Sequence, residues 1–365
     1  MRILIVHPEM KFLGGGERLC CETIHSLLSL GHEITLLSQI FDPKEVESFF
    51  GYANLFNKVE LLLYPSNKAR GLGTTSHLIQ HSRGQMHALK QPTHSRKDTF
   101  DLVFSTQDAG YIPDINAPVV QWGYFPTYFP KFVRGRPPGW FAWTMRSIPL
   151  RFYYRRKVSR IGLVLAISQY SKWHLDSEWK RPSSLVYPGC NMIDPGVKRN
   201  LVVTVARANP VKRLELFWQV ARLCPNYEFA MLLTLDPDAP EYVKRLMAET
   251  PKNGRTILNP PKERYSELLG EAKVYLHLME NEHFGITVVE AMSASCVPVV
   301  HNSGGPREIV TSGTGFRWQM FEQLPSMVDQ AMEESPSLVA RQRAEAFSVE
   351  RFEKRLSSVF SLLQK

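Results

Sequence analysis

The sequence predicts an α/β protein made of two doubly wound domains, and three observations support this prediction. The chain has 365 residues, which corresponds to about two domains of ordinary size. Short apolar runs alternate with segments of helical periodicity, as in parallel sheets. The alternation stops at a cluster of prolines and glycines over residues 182–196 and then starts again.

The first domain is predicted over residues 1–184. It opens with an apolar strand, a glycine loop and a helix that Gly31 ends, because glycine suits the C-terminus of a helix. A second strand completes this βαβ unit. The predicted elements are strand 3–6, loop 14–16, helix 19–30 and strands 33–37, 102–105, 119–122 and 163–167.

The second domain is predicted over residues 185–344. The remaining residues, 345–365, carry a helical apolar stripe that requires another surface, and we expect this helix to return to the first domain. The predicted elements of the second domain are strands 201–205, 228–235, 274–278 and 297–300, and helices 214–223, 242–249 and 288–293.

The composition is that of a globular protein, with 44% hydrophobic and 22% charged residues. No apolar run reaches the roughly 20 residues of a membrane-spanning helix. The net charge of +9 is uneven, since residues 1–180 carry 22 Lys and Arg against 14 Asp and Glu, and residues 181–365 carry 22 against 21. We therefore expect the first half to meet an anionic partner.

The five cysteines are scattered and lack the spacing of a zinc site or a disulfide framework. This pattern predicts no bound metal and favours the reducing cytoplasm.

Four polar segments follow predicted strands, where ligands of open α/β sheets bind. Gly14, Gly15 and Gly16 follow the first strand and can bring backbone amides to a phosphate, although a plain tight turn fits equally well. Arg207 and Lys212 follow strand 201–205 and can neutralise a diphosphate. The alternative for these two residues is a solvated helix start.

The most specific signal is the segment 281–292, which runs from a strand through a polar turn into a helix. Its acids Glu282 and Glu290 lie on opposite sides of the turn, so one can reach a sugar and the other a ribose. The alternative is that Glu290 is an exposed helix acid and Glu282 a partner of the helix dipole. Ser303-Gly304-Gly305-Pro306 follows the next strand, either at the site or as a plain strand-to-helix turn.

These motifs, in this order, resemble those of the family 4 glycosyltransferases, which are retaining enzymes of the GT-B fold. That fold has two Rossmann-like doubly wound domains facing a central cleft. The wording EHFGITVVEAM and PVVHNSGGP is especially similar to mannosyltransferases that extend lipid-linked oligosaccharides from GDP-mannose. The resemblance spans nearly the whole chain and is densest over residues 186–310.

The resemblance implies a role for each matching residue. Arg207 and Lys212 hold the donor diphosphate together with the amides of Gly15 and Gly16, and no metal or other cofactor is required. Glu290 takes the ribose hydroxyls, and Glu282 takes the donor sugar. The remaining residues implied in donor binding are His283, Phe284, Gly285, Ile286 and Thr287.

Tyr124 departs from the family pattern, because members often have histidine at this position near the end of a strand of the first domain. A hydrogen bond from Tyr124 to the donor sugar and simple packing are both compatible with the sequence. The resemblance further implies substitution on one face of the sugar, in which the leaving phosphate oxygen helps to deprotonate the acceptor hydroxyl.

Residues 131–160 combine nine Lys and Arg with seven aromatic residues. Cations beside Trp and Tyr favour an interface with anionic lipid, so we expect a peripheral membrane enzyme that takes a lipid-linked glycan acceptor. The alternative is that the aromatic rings pack internally and the cations are solvated. The residues expected to face the membrane are Arg134, Arg136, Trp140, Trp143, Arg151, Arg155, Arg156 and Lys157.

Two other functions fit parts of the sequence. A UDP-sugar could be the donor, with a different lipid or a soluble acceptor. The positive charge beside aromatic residues is also typical of proteins that bind nucleic acid, but no nucleic-acid-binding motif is present. We therefore expect a nucleotide sugar, a lipid-linked glycan and an anionic membrane surface as partners, and no nucleic acid.

Overall fold

The contacts within the chain divide it into two units. The first comprises Met1–Val186 with the residues from Phe360 onward, and the second comprises Tyr187–Val359. The structure is a computed structural model that describes residues 1–65, 74–90, 100–126, 140–236, 239–334 and 336–363, with the side chains of 74–77, 140–147 and 362–363 excepted.

The first unit contains a parallel sheet. Its strands are β1 (Arg2–Val6), β2 (Glu33–Gln39), β3 (Glu60–Tyr64), β4 (Leu102–Ser105), β5 (Val119–Gly123), β6 (Ile161–Ala166) and β7 (Ser183–Leu185). Their order in the sheet is β3-β2-β1-β4-β5-β6-β7. The helices are α1 (Gly15–Ser29), α2 (Pro43–Phe50), α3 (Thr74–Leu89), α4 (Trp140–Ser159) and α5 (Gln169–Trp179).

The second unit repeats this architecture. Its strands are β8 (Arg199–Arg207), β9 (Glu228–Thr234), β10 (Gly254–Leu258), β11 (Ala272–Leu276), β12 (Val297–His301) and β13 (Phe316–Trp318), in the order β10-β9-β8-β11-β12-β13. Its helices are α6 (Glu215–Leu223), α7 (Pro240–Ala248), α8 (Lys262–Glu271), α9 (Ile286–Ser293), α10 (Pro306–Ile309), α11 (Leu324–Glu333), α12 (Leu338–Glu345) and α13 (Val349–Leu363).

Both sheets confirm the predicted fold class of two doubly wound Rossmann-like domains. In each sheet the strand order reverses between two neighbouring strands, β1 and β4 in the first and β8 and β11 in the second. Ligands of such sheets bind beyond the carboxyl ends of the strands at this reversal. The topology therefore marks one candidate crevice in each unit.

The central strands were predictable because helices cover both of their faces, so their sequences are continuous apolar runs. Ile3 to Val6 of β1 are fully buried, for example. The edge strands β3, β7, β10 and β13 were not predicted from the sequence. An edge strand has one neighbour and needs less apolar surface, as β10 shows with all five of its residues half-buried.

The tail differs from the single helical stripe predicted from the sequence. Its helix, α13, begins only at Val349, and Phe347 lies in the turn between α12 and α13. The carbonyl of Phe347 accepts a hydrogen bond of 2.8 Å from the amide of Cys190, which ties this turn to the start of the second unit. Phe360 of α13 belongs to the first unit, where its ring lies 5.9 Å from that of Phe104.

Lys198 connects two helix ends in the second unit. Its ammonium donates hydrogen bonds to the carbonyls of Leu269 and Ala272, where α8 ends, and of Ala294, where α9 ends. Carbonyls at helix C-termini have no partner within the helix. Lys198 satisfies three of them at once.

We predict that Lys198→Met lowers the free energy of unfolding by about 1–3 kcal/mol, because buried carbonyls lose their donor. Urea denaturation followed by circular dichroism measures the change. Lys252→Met, at an exposed position, is the control and is expected to stay within about 0.5 kcal/mol of the wild type. Equal stability of the two variants would contradict the role of Lys198.

Candidate functional site

The crevice of the second unit brings Lys212 and Glu282 together. Lys212 ends a short 3-10 helix after β8, and Asn209 caps this helix by accepting a hydrogen bond of 3.1 Å from the amide of Val211. Glu282 lies in the loop after β11. The Lys212 ammonium donates a hydrogen bond to Oε2 of Glu282 across the strand reversal.

The pair is largely buried, with 23% of the Lys212 side chain and 17% of the Glu282 side chain exposed. Burial opposes ionisation of the carboxyl, but the Lys212 charge outweighs it and lowers the pKa of Glu282 to about 2. Oε1 of Glu282 accepts a hydrogen bond of 3.3 Å from the backbone amide of His283. The crevice therefore holds an ionised and oriented carboxylate.

Arg207 lies at the end of β8, beside Asp236. Its Nε is 3.7 Å from Oδ2 of Asp236, which also accepts a hydrogen bond of 2.9 Å from the Asn209 amide. The Arg207 side chain is 41% exposed, whereas that of Asp236 is 7% exposed. Asp236 thus orients a guanidinium whose surface stays open to solvent.

Helix α9 begins at this crevice. Its N-cap is Gly285, with a φ of +108° that side chains rarely allow. The first helical hydrogen bond runs from Val288 to the carbonyl of Gly285, so the amides of Ile286 and Thr287 precede the helical ladder. The Thr287 hydroxyl lies 2.6 Å from that of Tyr275. This helix start can receive an anion.

Glu290 lies one turn into α9 and is 4% exposed, which excludes the interpretation as an exposed helix acid. Tyr265 of α8 donates a hydrogen bond to its carboxylate. Phe284 is also buried, and its ring packs against Tyr187 and Phe347 at 5.9 and 5.7 Å. The ring of Phe284 is therefore packed in the interior, and the residue contributes its backbone to the loop that carries Glu282.

The second glycine turn supports the Glu282 loop directly. The amide of Gly305 donates a hydrogen bond of 2.8 Å to the carbonyl of Glu282. A Cβ on Gly304 would lie 2.3 Å from that carbonyl oxygen, and one on Gly305 would lie 2.4 Å from Cα of Phe284. Only glycine permits this close approach. The turn, for which a plain strand-to-helix turn was the alternative, therefore supports the loop of Glu282.

His277, which was not predicted from the sequence, follows β11 and is 5% exposed. Its Nε2 lies 3.8 Å from Oε2 of Glu282. Burial lowers the pKa of His277 to about 4 against the charge of Glu282, so the ring is neutral near pH 7. The clue in the sequence was a polar residue at the end of an apolar strand, at the strand reversal.

The crevice of the first unit is built differently. Gly14 is the N-cap of α1, and Gly15 and Gly16 form its first turn instead of a preceding loop. The reason is Glu17, whose Oε2 accepts a hydrogen bond of 2.7 Å from the Gly14 amide. Oε1 of Glu17 lies 3.4 Å from Nε2 of the buried His7. An internal carboxylate therefore already faces these glycines.

Tyr124 lies in the same crevice, after β5. Its hydroxyl donates a hydrogen bond of 3.1 Å to the carbonyl of Thr106, which follows β4. A Cβ on Gly16 would lie 3.7 Å from this hydroxyl. The Tyr124 hydroxyl is thus bonded within the protein, at the strand reversal. Its contact with a donor sugar stays a prediction, as does phosphate binding by Gly15 and Gly16.

Helix α4 exposes some of the predicted membrane-facing residues and buries others. Phe152, Arg155 and Arg156 form an exposed face, and Arg151 is half-buried. Lys157 was wrongly included, because it is buried and donates hydrogen bonds of 2.8 and 2.9 Å to Ile112 and Asp114. Arg134, Arg136 and the side chains of Trp140 and Trp143 lie outside the described residues.

Two general features of the described residues bear on binding. No helix among them is both long and apolar enough to cross a membrane. They contain no group of three His, Cys, Asp or Glu side chains placed to hold a metal ion.

Comparison with known proteins supports a common origin for the second unit. Residues 193–342 match the family described as Glycosyl transferases group 1. The chain is similar to proteins named GDP-Man:Man(3)GlcNAc(2)-PP-Dol alpha-1,2-mannosyltransferase, with 25% identity over 52% of this chain for that of Dictyostelium discoideum and 40% over 41% for that of Yarrowia lipolytica. These alignments span 44% and 28% of the two relatives, less than half of each.

Solved structures match the whole chain. HepE of Anabaena, solved with UDP and glucose, has a TM-score of 0.71 at 15% identity and covers 99% of both chains. Sucrose-phosphate synthase of Thermosynechococcus elongatus has a TM-score of 0.74 at 14% identity and covers 100% of this chain and 99% of its own. Together with the two strand reversals, these matches show that the chain has the GT-B fold and that residues 193–342 of its second unit match the group 1 glycosyltransferases, with distant similarity to the GDP-Man α-1,2-mannosyltransferases.

Proposed function

We propose that the protein transfers mannose from GDP-mannose, with retention of configuration, onto a lipid-linked or membrane-associated glycan. The observation that carries the proposal is the ion pair of Lys212 and Glu282 at the strand reversal of the second unit. The pair offers a cation for a diphosphate and a carboxylate for sugar hydroxyls, at the edge of the sheet where ligands of such folds bind. The similarity to GDP-Man mannosyltransferases supports the choice of donor.

In this proposal, cations and amides stabilise the leaving diphosphate. Lys212 and the exposed guanidinium of Arg207 meet its oxygens, and the amides of Ile286 and Thr287 add the positive end of helix α9. Groups placed in advance stabilise developing charge without reorganising during the reaction. The absence of a metal requirement remains a prediction.

The two acids of the motif take separate hydroxyl groups. Glu282 is ionised, so its carboxylate accepts hydrogen bonds from the sugar. Glu290 is buried eight residues further on and accepts hydrogen bonds from the ribose. The acceptor hydroxyl then attacks on the face that the diphosphate leaves, and a phosphate oxygen takes its proton.

A UDP-sugar is the second candidate donor. HepE, which has the same fold, was solved with UDP and glucose. The two candidates share the diphosphate and the ribose and differ in the base and the sugar. The residues of the crevice described above do not distinguish them.

We predict that Glu282→Ala lowers sugar transfer by about 100-fold or more while GDP still binds, with a Kd no more than about threefold above that of the wild type. Removal of the carboxylate takes away the contact with the sugar and leaves Lys212 for the diphosphate. Isothermal titration calorimetry measures binding, and release of GDP measures turnover. Glu241→Gln, at a side chain that is 81% exposed, serves as the control. Wild-type turnover in Glu282→Ala would contradict the assignment.

For Glu290→Ala we expect the Kd for GDP to rise by about tenfold or more, because hydrogen bonds between a buried carboxylate and the ribose are lost. Binding of 2′,3′-dideoxy-GDP should change much less, since that nucleotide lacks the hydroxyls. An equal loss for both nucleotides would point instead to a general packing defect around Tyr265.

A thermal-shift screen separates the two donors. We predict that GDP-mannose raises the melting temperature more than UDP-glucose or ADP-glucose does, because a ligand stabilises the state that binds it. A larger shift with UDP-glucose would favour the second candidate. No shift with any of the three would contradict nucleotide-sugar binding.

The exposed face of α4 supports the proposed membrane contact, since Phe152 is 66% exposed beside Arg155 and Arg156. We predict that the protein floats with anionic liposomes at low salt and that the triple variant Phe152→Ser, Arg155→Gln, Arg156→Gln does not. The control with Lys244→Gln and Lys252→Gln, both exposed in the second unit, should float like the wild type. Flotation of the triple variant would remove this face from the proposal.

A further inference from the structure

The backbone of His277 makes two hydrogen bonds, and its ring stacks on another aromatic ring. Its backbone amide donates a hydrogen bond of 2.8 Å to Val299 of β12, and its carbonyl accepts one of 3.1 Å from the indole of Trp318. The ring lies 6.3 Å from that of Tyr275, tilted by 19°. The backbone of His277 is therefore fixed at the crevice of the second unit, and its ring stacks on that of Tyr275.

One ring nitrogen of His277 faces Glu282 without a hydrogen bond. Nε2 is buried and has no partner among the described residues. Its distance of 3.8 Å to Oε2 of Glu282 is too long for a hydrogen bond. A buried polar atom left without a partner destabilises the folded protein, so its retention requires a reason.

The oxygens of Glu282 already have donors in this structure. Oε2 receives the ammonium of Lys212, and Oε1 receives the amide of His283. In the proposed function, however, Lys212 must meet the donor diphosphate. When it does so, Oε2 loses its donor while remaining within 4 Å of His277.

We propose that His277 is a positioning residue. Its Nε2–H donates a hydrogen bond to Oε2 of Glu282 when Lys212 engages the diphosphate. The inference rests on the proposed function. His277 does not touch the reacting atoms in this scheme. It keeps the Glu282 carboxylate directed at the sugar while its former partner is occupied.

The charge state of the ring suits this role. Because burial keeps the pKa of His277 near 4, the imidazole is neutral and donates a hydrogen bond without bringing a charge that would compete for the diphosphate. Lys212 and His301 add to the depression, and Glu282 opposes it. A second cation at this position would instead pair permanently with Glu282.

The test compares His277→Gln with His277→Phe in the full chain. The amide nitrogen of glutamine can reach the position of Nε2, whereas phenylalanine keeps the ring without a donor. We expect His277→Phe to lower turnover of GDP-mannose by at least tenfold with the Kd for GDP within threefold of the wild type. His277→Gln should recover turnover to within threefold of the wild type.

A matched control separates positioning from stability. Asn253 donates to three carbonyls, those of Ala221, Cys224 and Tyr227, at the amino end of β10 and away from the crevice. Asn253→Leu should lower the melting temperature without changing the relation between GDP binding and turnover. If His277→Phe does not fold, ¹⁵N spectra of the wild-type ring should show Nε2 protonated and shifted by GDP-mannose.

The possible outcomes are distinct. Wild-type turnover in His277→Phe, equal impairment of the glutamine and phenylalanine variants, or an Nε2 resonance that GDP-mannose leaves unchanged would each overturn the inference while the proposed function stands. If the wild type binds neither GDP nor UDP and turns over neither GDP-mannose nor UDP-glucose, the proposed function fails and the inference fails with it.

Discussion

The close approach of two loops at the carboxyl edge of the second sheet is the constraint on which the site depends. Gly304 and Gly305, after β12, lie against the backbone of Glu282 and Phe284, after β11. A side chain at either glycine would overlap backbone atoms that cannot move aside. Because this contact fixes the Glu282 loop, it also fixes where the carboxylate meets Lys212 and where α9 begins.

The two units share a topology but use it for different electrostatics. At the first strand reversal, the carboxylate of Glu17 accepts the Gly14 amide and lies beside His7, so the polar groups satisfy each other inside the protein. At the second, Arg207 keeps an exposed guanidinium. The fold therefore supplies two similar crevices, and their side chains give the second one an exposed cation.

The parts of the fold that could be predicted are those in which local pattern and burial agree. The central strands are fully buried, so Ile3 to Val6 and Val297 to Val300 are recognisable as apolar runs. The edge strand β13 has three residues and no such run. Gly15 and Gly16 were placed in a loop because glycine disfavours helices, and the hydrogen bond from Gly14 to Glu17 overrides that preference.

The site was predictable to the extent that its residues follow strands. Arg207, Lys212, Glu282 and Glu290 were selected in this way, and the structure brings Lys212 and Glu282 together. The proposed role of His277 could not be predicted, because it depends on a distance to Glu282 that no spacing encodes. Lys157 shows the opposite error, since composition counted a cation as exposed that Asp114 holds in the interior.

The ion pair of Lys212 and Glu282 has a further consequence for how the crevice exchanges its contents. Glu282 is the counterion of Lys212 before any ligand arrives, and it is attached to the same chain. In the proposed function, an incoming phosphate must displace the Glu282 carboxylate, which the chain keeps at a constant local concentration. Such a lysine holds anions less tightly than an unpaired one would, and each departing anion leaves behind a cation that is neutralised at once.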